Sequence, residues 1–273
     1  MAVLSLAPSL SAAEQACPGA GSASAKTVSV DERLQLTLDD GTKLKIAGVD
    51  PPRPTPGDPG LDIRARDALA DWLGGRRVAF RPAEPGRDRW GRITAFVYAP
   101  APQAAGAQGQ ESLSVGEALI DAGFGRYEPS REVHPCRDAL LAAEAGARAA
   151  RLGLWADPYY AILNPGEQDS LAEKTGSFVI VEGQVSGVSS RGPRITIYLG
   201  PRKGLDFSVT VLTRSSAAFK AAYPSLAGLT GSKIRARGLL DSRFGPHIEI
   251  SDLDAVEITG QAPGAAAAPP SPH

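Results

Sequence analysis

Apolar and polar residues alternate through residues 28–49, with Leu34, Leu36 and Leu38 before the run Asp39-Asp40-Gly41-Thr42 and Leu44 and Ile46 after it. A period of two puts such side chains on one face of a strand, and Asp-Gly between two such runs marks a tight turn, so two or three paired strands are predicted here. A Pro/Gly loop covers 51–60, after which Ala65, Leu69, Trp72 and Leu73 recur at helical spacing until Gly74-Gly75 stops them. That spacing predicts an amphipathic helix packed on the sheet. Residues 76–81 and 93–98 bracket the turn-rich run 84–92, giving a second hairpin with a charged tip and with Val78 and Phe80 facing the interior. A loop over 102–110 leads to a short helix over 115–122 ended by Gly123, and a longer helix over about 135–151 ends at Gly153.

Past Asn164-Pro165-Gly166 the pattern turns to strands alone, at 178–188, 195–199, 207–212, 233–240 and 247–250, with one helical insert at 217–223. Five short strands with one insert suit a small five-stranded Greek-key barrel of the OB type, with a small sandwich as the alternative. The predicted organisation is mainly β with helices (α+β): a leader over 1–27, a first barrel domain over 28–160, a linker over 161–175, a second barrel over 176–258, and an Ala/Pro-rich disordered tail over 259–273.

The length of 273 residues with 42% hydrophobic content suits two ordinary cores. A formal net charge of -1 means that any nucleic-acid binding must come from a local basic patch. The first residues run apolar and then small, without a basic front, and read as the back half of a signal peptide cleaved near Ala12 or Ala13, with a disordered Ala/Ser-rich leader as the plainer alternative; the expected location is periplasmic or secreted. No apolar run is long enough to span a membrane. The two cysteines, Cys17 and Cys136, form an even pair that in an exported chain suggests a disulfide from the mature N-terminus to a helix; two unpaired thiols would be the cytosolic alternative.

The succession of the hairpin, the strand ending Val49-Asp50-Pro51-Pro52, the helix, Arg87-Asp88-Arg89-Trp90-Gly91-Arg92, the segment from Glu117 to Phe124, and the helix closing on Gly153-Leu154-Trp155 resembles the staphylococcal nuclease (thermonuclease-like) family over about residues 28–155. The resemblance implies a five-stranded OB-type barrel and calcium-dependent hydrolysis of phosphodiesters in DNA and RNA. That chemistry needs a hard cation held by carboxylates, a carboxylate that activates water, and two guanidinium groups for the charge that grows on the phosphoryl oxygens. By the same resemblance Asp50 is a metal ligand, Glu32 is the best match for the second one with Asp31 as fallback, Lys45 stands for the first arginine without its bidentate fork, and Arg92 is the second arginine. Arg53 falls where the water-activating glutamate is expected and Pro51 where a metal-binding threonine is expected. Loss of a general base alone costs about two to four orders of magnitude in rate. Weak or absent hydrolysis is therefore expected, with Asp58 or Asp62 as replacement bases if the loop carries either back to the site.

Arg89 and Trp90 are the expected substrate contacts, with Trp90 stacking a base of single-stranded nucleic acid. The competing reading is a non-catalytic exported module that binds nucleic acid, glycan or protein. Plainer roles stand beside these: Asp50 before a proline can cap a turn, and the Arg87, Arg89 and Arg92 cluster can be a hairpin tip paired with Asp88 and Glu84. His134, His247 and His273 lack metal-ligand spacing. On the second barrel Tyr198, Arg202, Lys203, Phe207, Arg235 and Arg237 could make a binding face, although alternation turns Phe207 inward.

Overall fold

The computed structural model describes residues 17–101, 112–191, 194–202 and 204–261; the expectations for residues 1–16, for the 102–110 loop, for Lys203 and for the tail beyond 261, with His273, lie outside the described residues. The N-terminal half contains β1 (Ala23–Val30), β2 (Leu36–Leu38), β3 (Lys43–Ile46), β4 (Val49–Asp50), α1 (Leu61–Leu73), β5 (Arg77–Pro82), β6 (Arg92–Pro100), β7 (Ser112–Ser114), α2 (Val115–Asp121), β8 (Arg126–Tyr127) and α3 (Arg137–Ala149). β1 pairs antiparallel with β2 and β5, β2 with β3, and β5 with β6, while β3 runs parallel to β6. These pairings close a barrel with the order β1-β2-β3-β6-β5, and α1 lies in the chain between its third and fourth strands.

The alternation seen in the sequence fills this barrel: Leu36, Leu38, Leu44, Ile46, Val78, Ala95 and Val97 are buried together with Leu69 and Leu73 of α1. The Asp39–Thr42 turn forms as its composition demands, with Gly41 at φ 81° and the Asp40 carboxylate accepting from the Thr42 amide at 2.8 Å. β1 starts five residues before the alternating stretch, because Ala23–Lys26 pair with Arg77–Phe80 through their backbones. Small and polar side chains there give no hydrophobic signal. Cys17 and Cys136 are joined in a disulfide, Cα to Cα 4.4 Å, which ties the chain ahead of β1 to the start of α3.

The C-terminal half contains α4 (Gln168–Glu173), β9 (Phe178–Gln184), β10 (Gly187–Arg191), β11 (Arg194–Tyr198), β12 (Ser208–Val211), α5 (Ser216–Ala222), β13 (Lys233–Asp241), β14 (His247–Ile250) and β15 (Val256–Gly260). β10 pairs with β11, β11 with β12, β12 runs parallel to β14, β14 pairs with β13, and β13 returns to β9. With β9 and β10 taken as one bent strand, this is the same strand order as the first barrel, again with a helix between the third and fourth strands. The sheet has seven strands where the sequence predicted five. The 178–188 run breaks at Val185-Ser186, whose amides bond the carbonyls of Ser232, just ahead of β13, and of Tyr198 on β11, and β15 adds to β13 outside the ring. The 161–175 segment carries α4, and Leu163 bridges to Val181 of β9.

Charged groups are buried where the barrels meet. Arg237 of β13, 1% exposed, donates through Nη1 to both oxygens of Glu144 on α3 at 3.0 Å and to the Tyr127 carbonyl at 3.2 Å, and through Nη2 to Glu257. Asp254 accepts from the Tyr127 hydroxyl at 3.3 Å and lies 2.7 Å from His134 Nδ1 and 3.3 Å from Arg137 Nε. This corrects the binding face expected on the second barrel. Arg237 is interior and Arg235 is spent on Glu182 at 2.6 Å, while Phe207 is buried as its alternation predicted.

Candidate functional site

A cleft of about 530 Å³ opens where the turn after β1, strand β3, the loop after β4, the start of α1, the start of β6 and the residue after β8 converge. Glu32, Arg33, Lys45, Asp50, Pro51, Arg53, Asp62, Arg92 and Glu128 line it. Seven of the residues singled out in the sequence, Glu32, Lys45, Asp50, Pro51, Arg53, Asp62 and Arg92, are thus brought together.

Asp50 ends β4, which pairs with the two-residue β8 so that Asp50 faces Arg126 in register. Both are 6% exposed. Arg126 donates to Asp50 Oδ2 from Nε at 3.1 Å and from Nη2 at 2.7 Å, and Nη2 also donates to the Phe178 carbonyl at 2.9 Å. The Tyr160 and Phe178 rings lie 5.0 and 4.9 Å from the guanidinium carbon. Arg53 Nη2 stands 3.9 Å from the other oxygen, Oδ1. A buried carboxylate is tolerated only when paired, and Asp50 is paired on both sides by arginine.

Arg53 is held by its own backbone. Its amide donates to the Tyr160 hydroxyl at 2.7 Å, and that hydroxyl donates to the Arg53 carbonyl at 3.0 Å. Burial pushes the Tyr160 phenol pKa up. Farther along the same loop the Thr55 hydroxyl donates to Asp157 and accepts from the Asp58 amide at 2.9 Å. Asp58 pairs with Arg64, whereas Asp62, in the first turn of α1, lines the cleft. Of the two proposed replacement carboxylates, only Asp62 reaches it.

Lys45 Nζ lies 2.7 Å from Glu128 Oε2 across the cleft. Glu32 pairs with Arg66 at 3.4 Å, and the fallback Asp31 caps its turn by accepting the amides of Arg33 and Gln35, each at 2.9 Å. Arg92 enters from β6 and bonds Asp88 through Nε at 2.7 Å, while Asp88 also accepts the amides of Trp90 and Arg92; these bonds, that from the Arg92 side chain foremost, hold its carboxyl at a pKa of about 2. The plainer reading of this hairpin tip thus holds for the Arg92–Asp88 pair. Trp90 is 60% exposed between two guanidiniums, Arg89 at 3.9 Å and Arg92 at 4.6 Å from its ring centre.

Residues 43–157 match the protein-family model described as Staphylococcal nuclease homologue. That segment belongs to the staphylococcal nuclease family. No curated protein matches the chain. In the nuclease-homologue domain the family's general dependence on calcium meets a donor set that does not fit it. Calcium takes six to eight oxygens, but Arg126 occupies one Asp50 oxygen, Arg53 faces the other, and Glu32 is drawn to Arg66. Among the described residues no group of three or more His, Cys, Asp or Glu is arranged to hold a metal ion.

Arg126, Glu128 and Tyr160 were not legible as site residues. The one sequence signal for Arg126 is a lone charge inside the apolar stretch from Phe124 to Tyr127, which calls for a buried partner without saying which.

Proposed function

We propose that this is an exported protein of staphylococcal nuclease fold whose cleft binds single-stranded nucleic acid through its phosphates and does not hydrolyse it. One observation carries the reading: Arg53, pinned by Tyr160, presents a guanidinium to the cleft beside an Asp50 already neutralised by Arg126. A guanidinium suits a phosphate and cannot accept a proton from water. Lys45 and Arg92 bring further cations to the same cleft, paired there with Glu128 and Asp88, and Trp90, against the Arg92 guanidinium, offers an exposed ring for a base. Single strands fit because their bases are open to stacking. Export is supported by the N-terminal pattern and by the Cys17–Cys136 bridge, which suits an oxidising compartment. A calcium-dependent hydrolase would need Asp50 released from its arginines.

The test is fluorescence anisotropy of an end-labelled single-stranded DNA oligonucleotide, with calcium or a chelator, alongside gel analysis of the same samples. Binding that is indifferent to calcium, weakens with salt and with Arg53→Ala, and leaves the oligonucleotide intact is the expected result. Calcium-dependent cleavage that vanishes in Asp50→Ala would overturn the proposal.

A further inference from the structure

We infer that the second barrel, through Phe178, locks Arg126 onto Asp50 and so bars divalent cations from the cleft. The inference rests on the reading that the wild-type cleft holds no metal, and it assigns the cause to a contact between the two halves of the chain.

Arg126 has acceptors in both halves. Asp50 Oδ2 belongs to the first barrel's side ladder, and the Phe178 carbonyl belongs to the first residue of β9; the same Nη2 serves both, at 2.7 and 2.9 Å. Its guanidinium lies near two rings, Tyr160 and Phe178, and the residue is 6% exposed, so water is a poor substitute for either acceptor. A guanidinium bonded to one acceptor alone could swing away and hydrate. Fixed at both, it keeps Asp50 Oδ2 turned inward as a hydrogen-bond acceptor. A hard cation would have to displace that bond and bring its own charge against Arg126 and Arg53. Cation binding and the Phe178 contact are therefore opposed, and each weakens the other by the same factor.

Terbium(III), a hard cation read by tryptophan-sensitised luminescence, serves as the probe on the full chain: wild type, Arg126→Gln and Phe178→Ala, each with and without Asp50→Asn. Near-UV circular dichroism establishes that each variant is folded. Arg126→Gln keeps a hydrogen-bonding group but removes the charge, and terbium should bind it about tenfold or more tightly than the wild type, the gain disappearing with Asp50→Asn. Phe178→Ala keeps the backbone carbonyl but removes the ring that covers the guanidinium, letting water compete for Arg126, and should give a smaller gain of the same kind, so the inference stays testable if Arg126→Gln does not fold. A folded Arg126→Gln no tighter than wild type overturns the lock. A Phe178→Ala variant indistinguishable from wild type overturns the part assigned to the Phe178 ring of the second barrel. Tight terbium binding by the wild type that depends on Asp50 sinks the metal-free reading of the cleft itself, a result distinct from both.

Discussion

Arg126 stands directly across the β4–β8 ladder from Asp50 and closes on one of its oxygens with two nitrogens, at 3.1 and 2.7 Å. Breaking a buried pair strands the remaining charge, so Arg126→Ala should cost about 3–5 kcal/mol in urea unfolding. The double variant Asp50→Asn with Arg126→Gln should cost markedly less than that, because neither partner is left charged and alone. Equal losses in the two would mean that Asp50 finds another partner when Arg126 is removed.

The same argument applies at the junction between barrels. Arg237 is fully buried against Glu144 and Glu257. Arg237→Met should destabilise by about 3–5 kcal/mol, and adding Glu144→Gln should recover part of the loss. Unfolding monitored separately by Trp fluorescence and far-UV circular dichroism should remain one coincident transition in the wild type, since this network spans both halves.

Tyr160→Phe removes both hydrogen bonds to the Arg53 backbone. Each is worth about 1 kcal/mol, and the Arg53 amide should exchange with solvent faster in the variant. Nucleic-acid affinity should fall with it, because a mobile Arg53 pays more ordering entropy on binding. Unchanged exchange would show that the proline-rich loop is rigid without Tyr160.

Asp88 gives a pH signature. Its folded pKa of about 2 lies below the ordinary 3.8. A depressed carboxyl contributes its full stabilisation above the unfolded pKa and loses it as pH falls through the folded one, so the Asp88–Arg92 contact should fade between about pH 4 and pH 2. An NMR titration of the Asp88 carboxyl should show its midpoint near 2, returning toward the ordinary range in Arg92→Ala.

The Cys17–Cys136 bridge closes a loop of sequence separation 119. Reduction should lower stability by about 2–4 kcal/mol, measured as a shift in the urea midpoint with and without dithiothreitol. Cys17→Ser should match the reduced wild type.

Local patterns carried much of the architecture. Leu36, Leu38, Leu44 and Ile46 alternate and are buried, the Asp39–Thr42 turn forms on Gly41, and the run from Ala65 to Leu73 lies within α1. Each is a short-range matter of side-chain period and backbone freedom. The bend at Val185-Ser186 and strand β15 were missed because they are set by hydrogen bonds to distant strands.

The sequence by itself determined the residues available to the cleft: Glu32, Lys45, Asp50, Arg53 and Arg92 are singled out from the chain alone, and the closed barrel brings them to one cleft. Only the tertiary structure decided what those groups are worth. Asp50 meets Arg126 across 76 residues, Lys45 meets Glu128 across 83, and Tyr160 holds Arg53 across 107. The chemistry of a carboxylate depends on what lies within a few ångströms of it, and Coulomb attraction and desolvation act through space, where sequence distance has no meaning.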